Sequence, residues 1–276
     1  MEAEPFYDQY APEEWRRLEK QRTEYAVTSR ALEAFLPSPP CSILDIGGGP
    51  GRYSIELARQ GYTVTLAEIS GESLKLAQEK AGEAQVSLSG FIHANALDLG
   101  ELGSSSFDAV LLMGPLYHLL SHAERVQAIQ EAVRILEPHG RLFAAFITRF
   151  APFRYVANGE PGWLVGNQEY ALQLLETGVH DRPPTTFTKA YYVHPREVVP
   201  LMENQGLRTL CLVGCEGVVA GHEGKVNELT GEAWQAWVDL NYRLGQDPSL
   251  HGAADHLLYV GEKSGELPEE GCRRAV

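Results

Sequence analysis

Apolar and polar positions follow one pattern from residue 41 to about residue 148 and other patterns on either side. In this middle region, short apolar runs of strand length alternate with stretches in which apolar residues recur every three or four positions. Such alternation predicts a parallel sheet with helices on both faces. The predicted strands are Ser42 to Ile46, Tyr62 to Glu68, Val86 to His93, Phe107 to Met113 and Arg141 to Thr148, and the helices between them are Tyr53 to Gln60, Gly71 to Ala84 and His122 to Leu136.

The segment before this region is polar and helix-prone. Pro12-Glu13-Glu14 opens a predicted helix that continues to Arg22, and a second amphipathic stretch runs from Thr23 to Leu36. The proline-rich segment 37–40 cannot continue a helix. Residues 1–40 are therefore predicted to form a helical cap on the domain that follows.

The regular alternation ends after Arg149. The pattern then predicts helices at Gln168 to Thr177 and Pro195 to Gln205, a strand from Leu207 to Val219 and a last strand from His256 to Glu262. We expect one domain, 41–264, with lid insertions at about 150–190 and 221–250, and a flexible tail at 265–276.

Composition and charge narrow the class of partner. The chain has 276 residues, and 23 basic against 37 acidic residues give a net charge of −14, which disfavours nucleic acid and favours a small-molecule acceptor. No apolar run reaches 18 residues and the first residues lack a secretion pattern, so we expect no membrane partner and a cytoplasmic location. The four cysteines have no metal-binding spacing, so we expect buried thiols and no metal site.

A glycine-rich segment follows the first predicted strand: Asp45-Ile46-Gly47-Gly48-Gly49-Pro50-Gly51. Glycines at this place allow a tight turn and let backbone amides approach a ligand at the start of the next helix. Glu68 ends the second strand, where an acidic side chain can accept hydrogen bonds from both ribose hydroxyls. These features predict a site for a nucleotide cofactor.

Two cofactors fit this outline. A dinucleotide loop would need a third glycine at position 52, which is Arg52, and the Tyr-x-x-x-Lys pair of a short-chain dehydrogenase occurs only at Tyr259 and Lys263 in the last strand. Asp45 would be unfavourable beside a pyrophosphate but suits a cation such as S-adenosylmethionine. An NAD-dependent oxidoreductase stays the alternative enzyme class, and a catalytically silent cofactor-binding protein is the third interpretation.

Ile43 to Gly51, Glu68, Asn95-Ala96 and Asp108 to Leu119 together resemble the class I S-adenosylmethionine-dependent methyltransferases of small-molecule type. The resemblance covers about residues 40–148. It implies an α/β, Rossmann-like, doubly wound sheet of seven strands, mostly parallel with an antiparallel last strand. It also implies an enzyme that transfers a methyl group from S-adenosylmethionine, by in-line displacement, to an O, N, S or C atom of a small molecule.

The same resemblance assigns the cofactor-binding residues. Glu68 would hold the ribose, and Ile69 would pack on the adenine. Asn95 and Ala96 would reach the adenine amino group, because an Asn oxygen can still accept a hydrogen bond there. Tyr10 and Tyr25 would close over the cofactor. The residues at the methionine part and the reacting centre would be Asp45, Gly47, Gly49, Gly51 and Met113.

Candidate acceptor residues lie where ligands bind in open α/β sheets. We hypothesise that Tyr117 and His118, just after the fourth strand, face the acceptor, with His118 as hydrogen-bonding partner or general base. The alternative is that His118 caps a helix or packs structurally. Tyr192 and His194 are further candidates for acceptor binding, with a packed strand and a helix start as their alternative. Trp234 and Trp237 would pack the lid or an oligomer contact, so a homodimer stays open.

Overall fold

A computed structural model describes residues 3–182 and 188–265 of the chain. Within this part, the strands in chain order are β1 (Ser42–Ile46), β2 (Thr63–Glu68), β3 (Gly90–His93), β4 (Phe107–Leu112), β5 (Leu136–Ile147), β6 (Val179–His180), β7 (Ala190–Tyr191), β8 (Leu207–Gly214) and β9 (His256–Lys263). The helices are α1 (Ala3–Lys20), α2 (Arg22–Phe35), α3 (Arg52–Arg59), α4 (Gly71–Glu83), α5 (His122–Ile135), α6 (Ala151–Gly159), α7 (Gln168–Thr177), α8 (Pro195–Glu203), α9 (Glu223–Asn227) and α10 (Gly231–Gly245).

Seven strands form one sheet in the order β3-β2-β1-β4-β5-β9-β8, and β6 pairs with β7 in a separate ribbon. The strands from β1 to β5 pair in parallel, whereas β9 is antiparallel to both β5 and β8. The predicted Rossmann-like sheet with an antiparallel last strand is therefore confirmed. The strand order reverses direction between β1 and β4, and open α/β sheets bind ligands at such a point.

Both faces of the sheet are covered, which explains why its strands are almost continuously apolar. Leu44, Val110 and Leu112 pack towards α5 on one face, while Ile43 and Leu111 point to the face that α2 and α10 cover.

The thiols of Cys41, Cys211 and Cys215 are buried and free, as predicted, and Cys272 lies outside the described residues. Among the described helices, none combines the length and the apolar character that crossing a bilayer requires.

Three element boundaries differ from the prediction by five residues or more. Helix α1 begins at Ala3 rather than Pro12, because the Asp8 carboxylate accepts hydrogen bonds from Ser70 Oγ and the Glu72 amide and holds the first turns in place. Strand β5 begins at Leu136, whose backbone is already extended and pairs with Phe107. Strand β8 ends at Gly214, before a 3₁₀ turn in which Gly217 takes a φ of 51°.

Helices α1 and α2 lie within residues 1–40, where the sequence predicts a helical cap. Their assignment to a separate unit, and the lid role of 150–190 and 221–250, stay predictions. Residues 183–187 of the first insertion and 266–276 of the predicted tail lie outside the described residues.

Candidate active site

The glycine loop turns sharply at the carboxyl edge of the sheet. Gly47, Gly49 and Gly51 all have positive φ angles, of 70°, 54° and 81°. At Gly47 a β-carbon would also stand 2.6 Å from Cγ of Pro115, in the segment that follows β4. The loop therefore needs glycine here both for its backbone conformation and for its close approach to the neighbouring strand's end.

Asp45 lies at the end of β1 and is only 1% exposed. Its Oδ2 accepts a hydrogen bond from Ser54 Oγ at 2.7 Å. Burial raises the pKa of this carboxyl to about 7, and the charge of Glu68 acts in the same direction. A positive charge beside Asp45 would stabilise its ionised form.

Glu68 ties the end of β2 to the glycine loop. Its Oε2 accepts a hydrogen bond from the Gly49 amide at 2.9 Å, and its Oε1 accepts from the amides of Ile69 at 2.8 Å and Ser70 at 2.9 Å. Burial raises the pKa of the carboxyl, although these three amide hydrogen bonds oppose the shift. The side chain is thus fixed in position by backbone donors.

Both carboxyl groups face one cavity, whose empty volume is about 930 Å³ including its open mouth. The predicted residues that line it are Asp45, Gly47, Gly49, Glu68, Ile69, Asn95, Ala96, Met113, Tyr117 and His118. Gly51 is instead the N-cap of α3, and Oδ1 of Asn95 accepts from the Leu97 amide at 3.0 Å.

The far end of the cavity is built from side chains on α1 and the turn after β4. The hydroxyl of Tyr7 lies 2.7 Å from Nε2 of His118, and the two rings meet edge to face. The Tyr117 hydroxyl donates to the Met113 carbonyl at 3.4 Å. Burial lowers the pKa of His118 to about 4, so its ring is neutral at physiological pH.

Arg17 also lines this end of the cavity. It belongs to an ion-pair network that includes side chains that do not line the cavity. Its Nε donates to Glu14 at 2.8 Å and its Nη1 to Glu24 at 2.7 Å. Glu24 lies 3.8 Å from Nδ1 of His256, which contacts Glu216 at 2.5 Å. Burial alone would lower the pKa of His256, but the two carboxylates raise it to about 9.

Besides Gly51, the structure places four predicted site residues away from the cavity lining. Tyr10 is 40% exposed and stacks on Phe6, and Tyr25 stacks on Tyr53. Tyr192 packs in a small cluster with Tyr170 and Leu174. His194 caps α8, where its Nδ1 accepts from the Arg196 amide at 3.3 Å. In each case local packing or capping holds the side chain elsewhere.

The cavity-lining residues that were not predicted as site residues include Glu14, Arg17 and Tyr53. A signal for the first two exists. Tyr7, Glu14 and Arg17 are spaced by seven and three residues, which places them on one face of a helix. This shared face would have been recognised if the predicted helix had begun at Ala3 instead of Pro12.

Comparison with known proteins shows which proteins share sequence motifs and a fold with this chain. Residues 44–144 match the family model described as a methyltransferase domain. The chain is 27% identical over 173 residues to a ubiquinone biosynthesis O-methyltransferase of Coxiella burnetii, covering 62% of this chain and 65% of the relative. It is 33% identical over 150 residues to the enzyme of that name from Paracidovorax citrulli, covering 54% and 59%. The chain thus spans less than two thirds of the length of these curated relatives.

A solved structure agrees at the level of the fold. An S-adenosylmethionine-dependent methyltransferase of Methanosarcina mazei superposes with a TM-score of 0.59 at 20% identity, covering 86% of this chain and 98% of the other. The fold is that of a Rossmann-like methyltransferase. The similarity to class I S-adenosylmethionine-dependent methyltransferases that the sequence motifs predict is therefore confirmed, with residues 44–144 matching the methyltransferase domain.

Proposed function

We propose that this chain transfers a methyl group from S-adenosylmethionine to a nucleophilic atom of a small-molecule acceptor. The observation that carries the proposal is the pair of buried carboxyl groups, Asp45 and Glu68, which face one cavity beside the glycine loop. The family of the domain supports it, because the matched residues 44–144 include both carboxyl groups and the loop.

The residues present fit this cofactor. Asp45 is a buried carboxyl whose pKa of about 7 would fall beside a cation, so it suits a ligand with an ammonium and a sulfonium group. Glu68 would hold the ribose hydroxyls, while Ile69, Asn95 and Ala96 would surround the adenine. The glycine loop packs closely against the segment after β4, because a β-carbon at Gly47 would stand 2.6 Å from Cγ of Pro115.

When bound, the cofactor supplies a methyl group on a positively charged sulfur, which is transferred in line to a nucleophile. The chain's own residues bind and orient, and such positioning can contribute roughly 7–11 kcal/mol of the barrier. Met113, Tyr117 and His118 line the part of the cavity at the end of β4, where the acceptor would meet the methyl group. Burial keeps the pKa of His118 at about 4, so its neutral ring has one nitrogen that can donate and one that can accept a hydrogen bond.

The named relatives act in ubiquinone biosynthesis as O-methyltransferases, and we propose a hydroxyl-bearing small molecule as the acceptor class. The strongly negative net charge supports a small molecule over nucleic acid. A cytoplasmic location and a homodimer stay predictions.

Calorimetry with S-adenosylmethionine, S-adenosylhomocysteine and NAD tests the cofactor. We expect micromolar binding of the first two and no binding of NAD. Tight NAD binding without S-adenosylhomocysteine binding would instead favour the oxidoreductase. Turnover of a panel of hydroxyl, amine and thiol acceptors then separates an enzyme from a silent cofactor-binding protein, which would show cofactor binding but no methylated product.

A further inference from the structure

A groove lies between α2, α10 and the first residue of α3, separate from the proposed cofactor cavity that Asp45 and Glu68 line. Its empty volume is about 950 Å³ including its open mouth. Among the described residues, only Arg52 lines both the groove and the cofactor cavity. Tyr25, which lines the groove, stacks on Tyr53, which lines the cavity, with ring centroids 5.0 Å apart. Arg52 and this stacked pair of rings therefore separate the two spaces.

The charge of this groove differs from that of the chain as a whole, whose net charge is −14. The described lining contains three arginines and one carboxylate, namely Arg22, Arg30, Arg52 and Glu33. Arg30 is balanced locally, because its Nη1 lies 3.4 Å from Glu33 and its Nε lies 3.6 Å from Asp239. The surroundings of Arg22 therefore decide which ligand charge the groove favours.

Arg22 is held in place without being neutralised. Its Nη1 donates to the backbone carbonyls of Asn227 and Leu229, and its guanidinium lies over the Trp234 ring, 4.2 Å from the ring centroid. In the part of the chain that the structure describes, no carboxylate pairs with Arg22, and its Nε and Nη2 donate to no protein group. A guanidinium has five N–H donors in a planar fork that matches a carboxylate. Arg22 thus keeps donors for an anion in the groove that it lines.

The groove also has an apolar part. Ala26 on α2 and the side chains of Trp234 and Val238 on α10 line it beside Arg22. A ligand that covers these apolar groups gains from the removal of their surface from water. Arg22 carries one positive charge that no carboxylate of the described residues balances, so a ligand with a single negative charge matches the groove.

We propose that the groove between α2 and α10 binds a small organic carboxylate, whose anionic group accepts hydrogen bonds from Arg22 and whose apolar body packs against Trp234 and Val238. This site is separate from the cofactor cavity, and the inference does not depend on the proposed methyl transfer. A neutral ligand of the same shape would leave the charge of Arg22 unbalanced. An anion without an apolar body would leave the apolar part of the groove in water.

Three probe molecules test the chemical class. Benzoate has a ring and a carboxylate, benzamide has the ring without the charge, and acetate has the charge without the ring. At low ionic strength, where charge attraction is least screened, benzoate should shift the indole ¹H–¹⁵N signal of Trp234 saturably, and Trp163, outside the groove, should not respond. The Trp234 signal is assigned by its loss in Trp234→Phe. We expect Kd to be at least about 10-fold higher for benzamide and for acetate. Equal binding of benzamide, or no saturation by benzoate, would overturn the proposal.

Saturation with S-adenosylhomocysteine distinguishes the groove from the cofactor cavity. The Kd for benzoate should change less than about 3-fold, because the described linings of the two spaces share only Arg52. Displacement of benzoate would mean that the anion binds in the cofactor cavity, and the inference would then be wrong. If S-adenosylhomocysteine itself does not bind, the proposed function fails, while the titration with benzoate alone still decides the present inference.

Removal of the arginine charge tests the anion contact. Arg22→Gln should weaken benzoate binding at least about 10-fold, because the charged hydrogen-bond donor is lost. The control is Arg59→Gln, which removes the same charge from an exposed residue of α3 outside the groove and should change Kd less than about 2-fold. Equal effects of the two substitutions would reveal a response to net charge alone and would overturn the proposal.

A second pair of variants keeps Arg22, which also holds the carbonyls of Asn227 and Leu229. Gln235 is exposed on α10 and lines the groove, so Gln235→Glu adds a negative charge there with little change of shape. It should weaken benzoate binding about 5-fold by charge repulsion. Gln173→Glu, exposed on α7 and outside the groove, should change Kd less than about 2-fold. An unchanged Kd in Gln235→Glu would contradict an anion site in this groove.

Discussion

The two ends of the cavity are built in different ways. At the proposed cofactor end, backbone atoms and two strand-terminal carboxyl groups, Asp45 and Glu68, lie within one stretch of fewer than 30 residues. At the proposed acceptor end, Tyr7 from α1 meets His118, which follows β4, and Arg17 joins a network that reaches His256 on β9. The first end depends on local geometry, and the second depends on contacts between distant parts of the chain.

This difference separates a site that depends mainly on the path of the backbone from one that depends on individual side chains. A backbone-built site serves the same cofactor in many proteins, whereas a site built from side chains on added helices can change with each acceptor. Substitutions at the first end should therefore affect cofactor binding, and those at the second should affect acceptor binding or the stability of the cap.

The largest effect is expected at the glycine loop. Gly47→Ala adds a β-carbon 2.6 Å from Pro115 at a φ of 70°, which should cost about 1–3 kcal/mol in the free energy of unfolding. Calorimetry should show S-adenosylhomocysteine affinity falling at least about 100-fold. Gly82→Ala, where a β-carbon meets nothing within 4 Å, is the control and should bind normally. Unimpaired binding in Gly47→Ala would contradict a backbone-built cofactor end.

A smaller loss is expected at Glu68. In Glu68→Gln, an NH₂ group replaces one carboxylate oxygen and faces a backbone N–H, from which it cannot accept a hydrogen bond. This unpaired backbone donor should cost about 1–3 kcal/mol in the free energy of unfolding. We expect calorimetry to show about 30-fold weaker binding of S-adenosylhomocysteine. Binding of a hydroxyl-bearing acceptor such as phenol should be unchanged when S-adenosylhomocysteine saturates its site. Glu72→Gln, exposed in the first turn of α4, is the matched control. Equal losses in both variants would show that the effect is general charge rather than the ribose contact.

The ion-pair network of Arg17, Glu24, His256 and Glu216 should affect the free energy of unfolding rather than the affinity for the cofactor. Because folding raises the pKa of His256 to about 9 from an ordinary value of 6.5, its stabilisation is complete below pH 6.5 and is lost as pH rises through 9. Chemical denaturation should show His256→Gln less stable than wild type by about 1–3 kcal/mol at pH 6, with the gap closing by pH 10. A gap that is constant with pH would exclude this ion-pair origin. The exposed His122→Gln serves as control.

The smallest effect is expected at Tyr25, which packs on Tyr53 and does not itself line the cavity. Tyr25→Phe keeps the stacked ring, so S-adenosylhomocysteine affinity by calorimetry should change less than about 2-fold and the free energy of unfolding less than about 0.5 kcal/mol. A tenfold loss of affinity would mean that the cofactor end extends into α2, and the division between the two ends would then fail.

The sheet was predictable because its signals are local. Strand β1 was predicted at its observed bounds, Ser42–Ile46, since a short buried apolar run lies between a proline cluster and the glycine loop. Helix α7 was also predicted at its observed bounds, where Gly178 ends it in a left-handed conformation. Glu68 could be assigned to the cofactor end because its place at a strand end is itself a local feature.

The acceptor end was less predictable for the opposite reason. Tyr7 and His118 are 111 residues apart, and no sequence spacing indicates their hydrogen bond. Pro12 looked like a first-turn residue, which is where proline usually occurs in helices, so the start of α1 was placed nine residues too late. His256 looked like an ordinary strand start, since its partners Glu24 and Glu216 come from a helix and a loop.

The strand order has a consequence for how this protein is synthesised. Strand β8 has β9 as its neighbour in the sheet, and β9 leaves the ribosome later because it follows α10 in the chain. Until β9 inserts, β5 is an unpaired edge, and β8 has no strand to pair with in this sheet. His256, at the start of β9, contacts Glu24 near the beginning of the chain. The contact between His256 and Glu24 can therefore form only after β9 has been synthesised, when the sheet can also be completed.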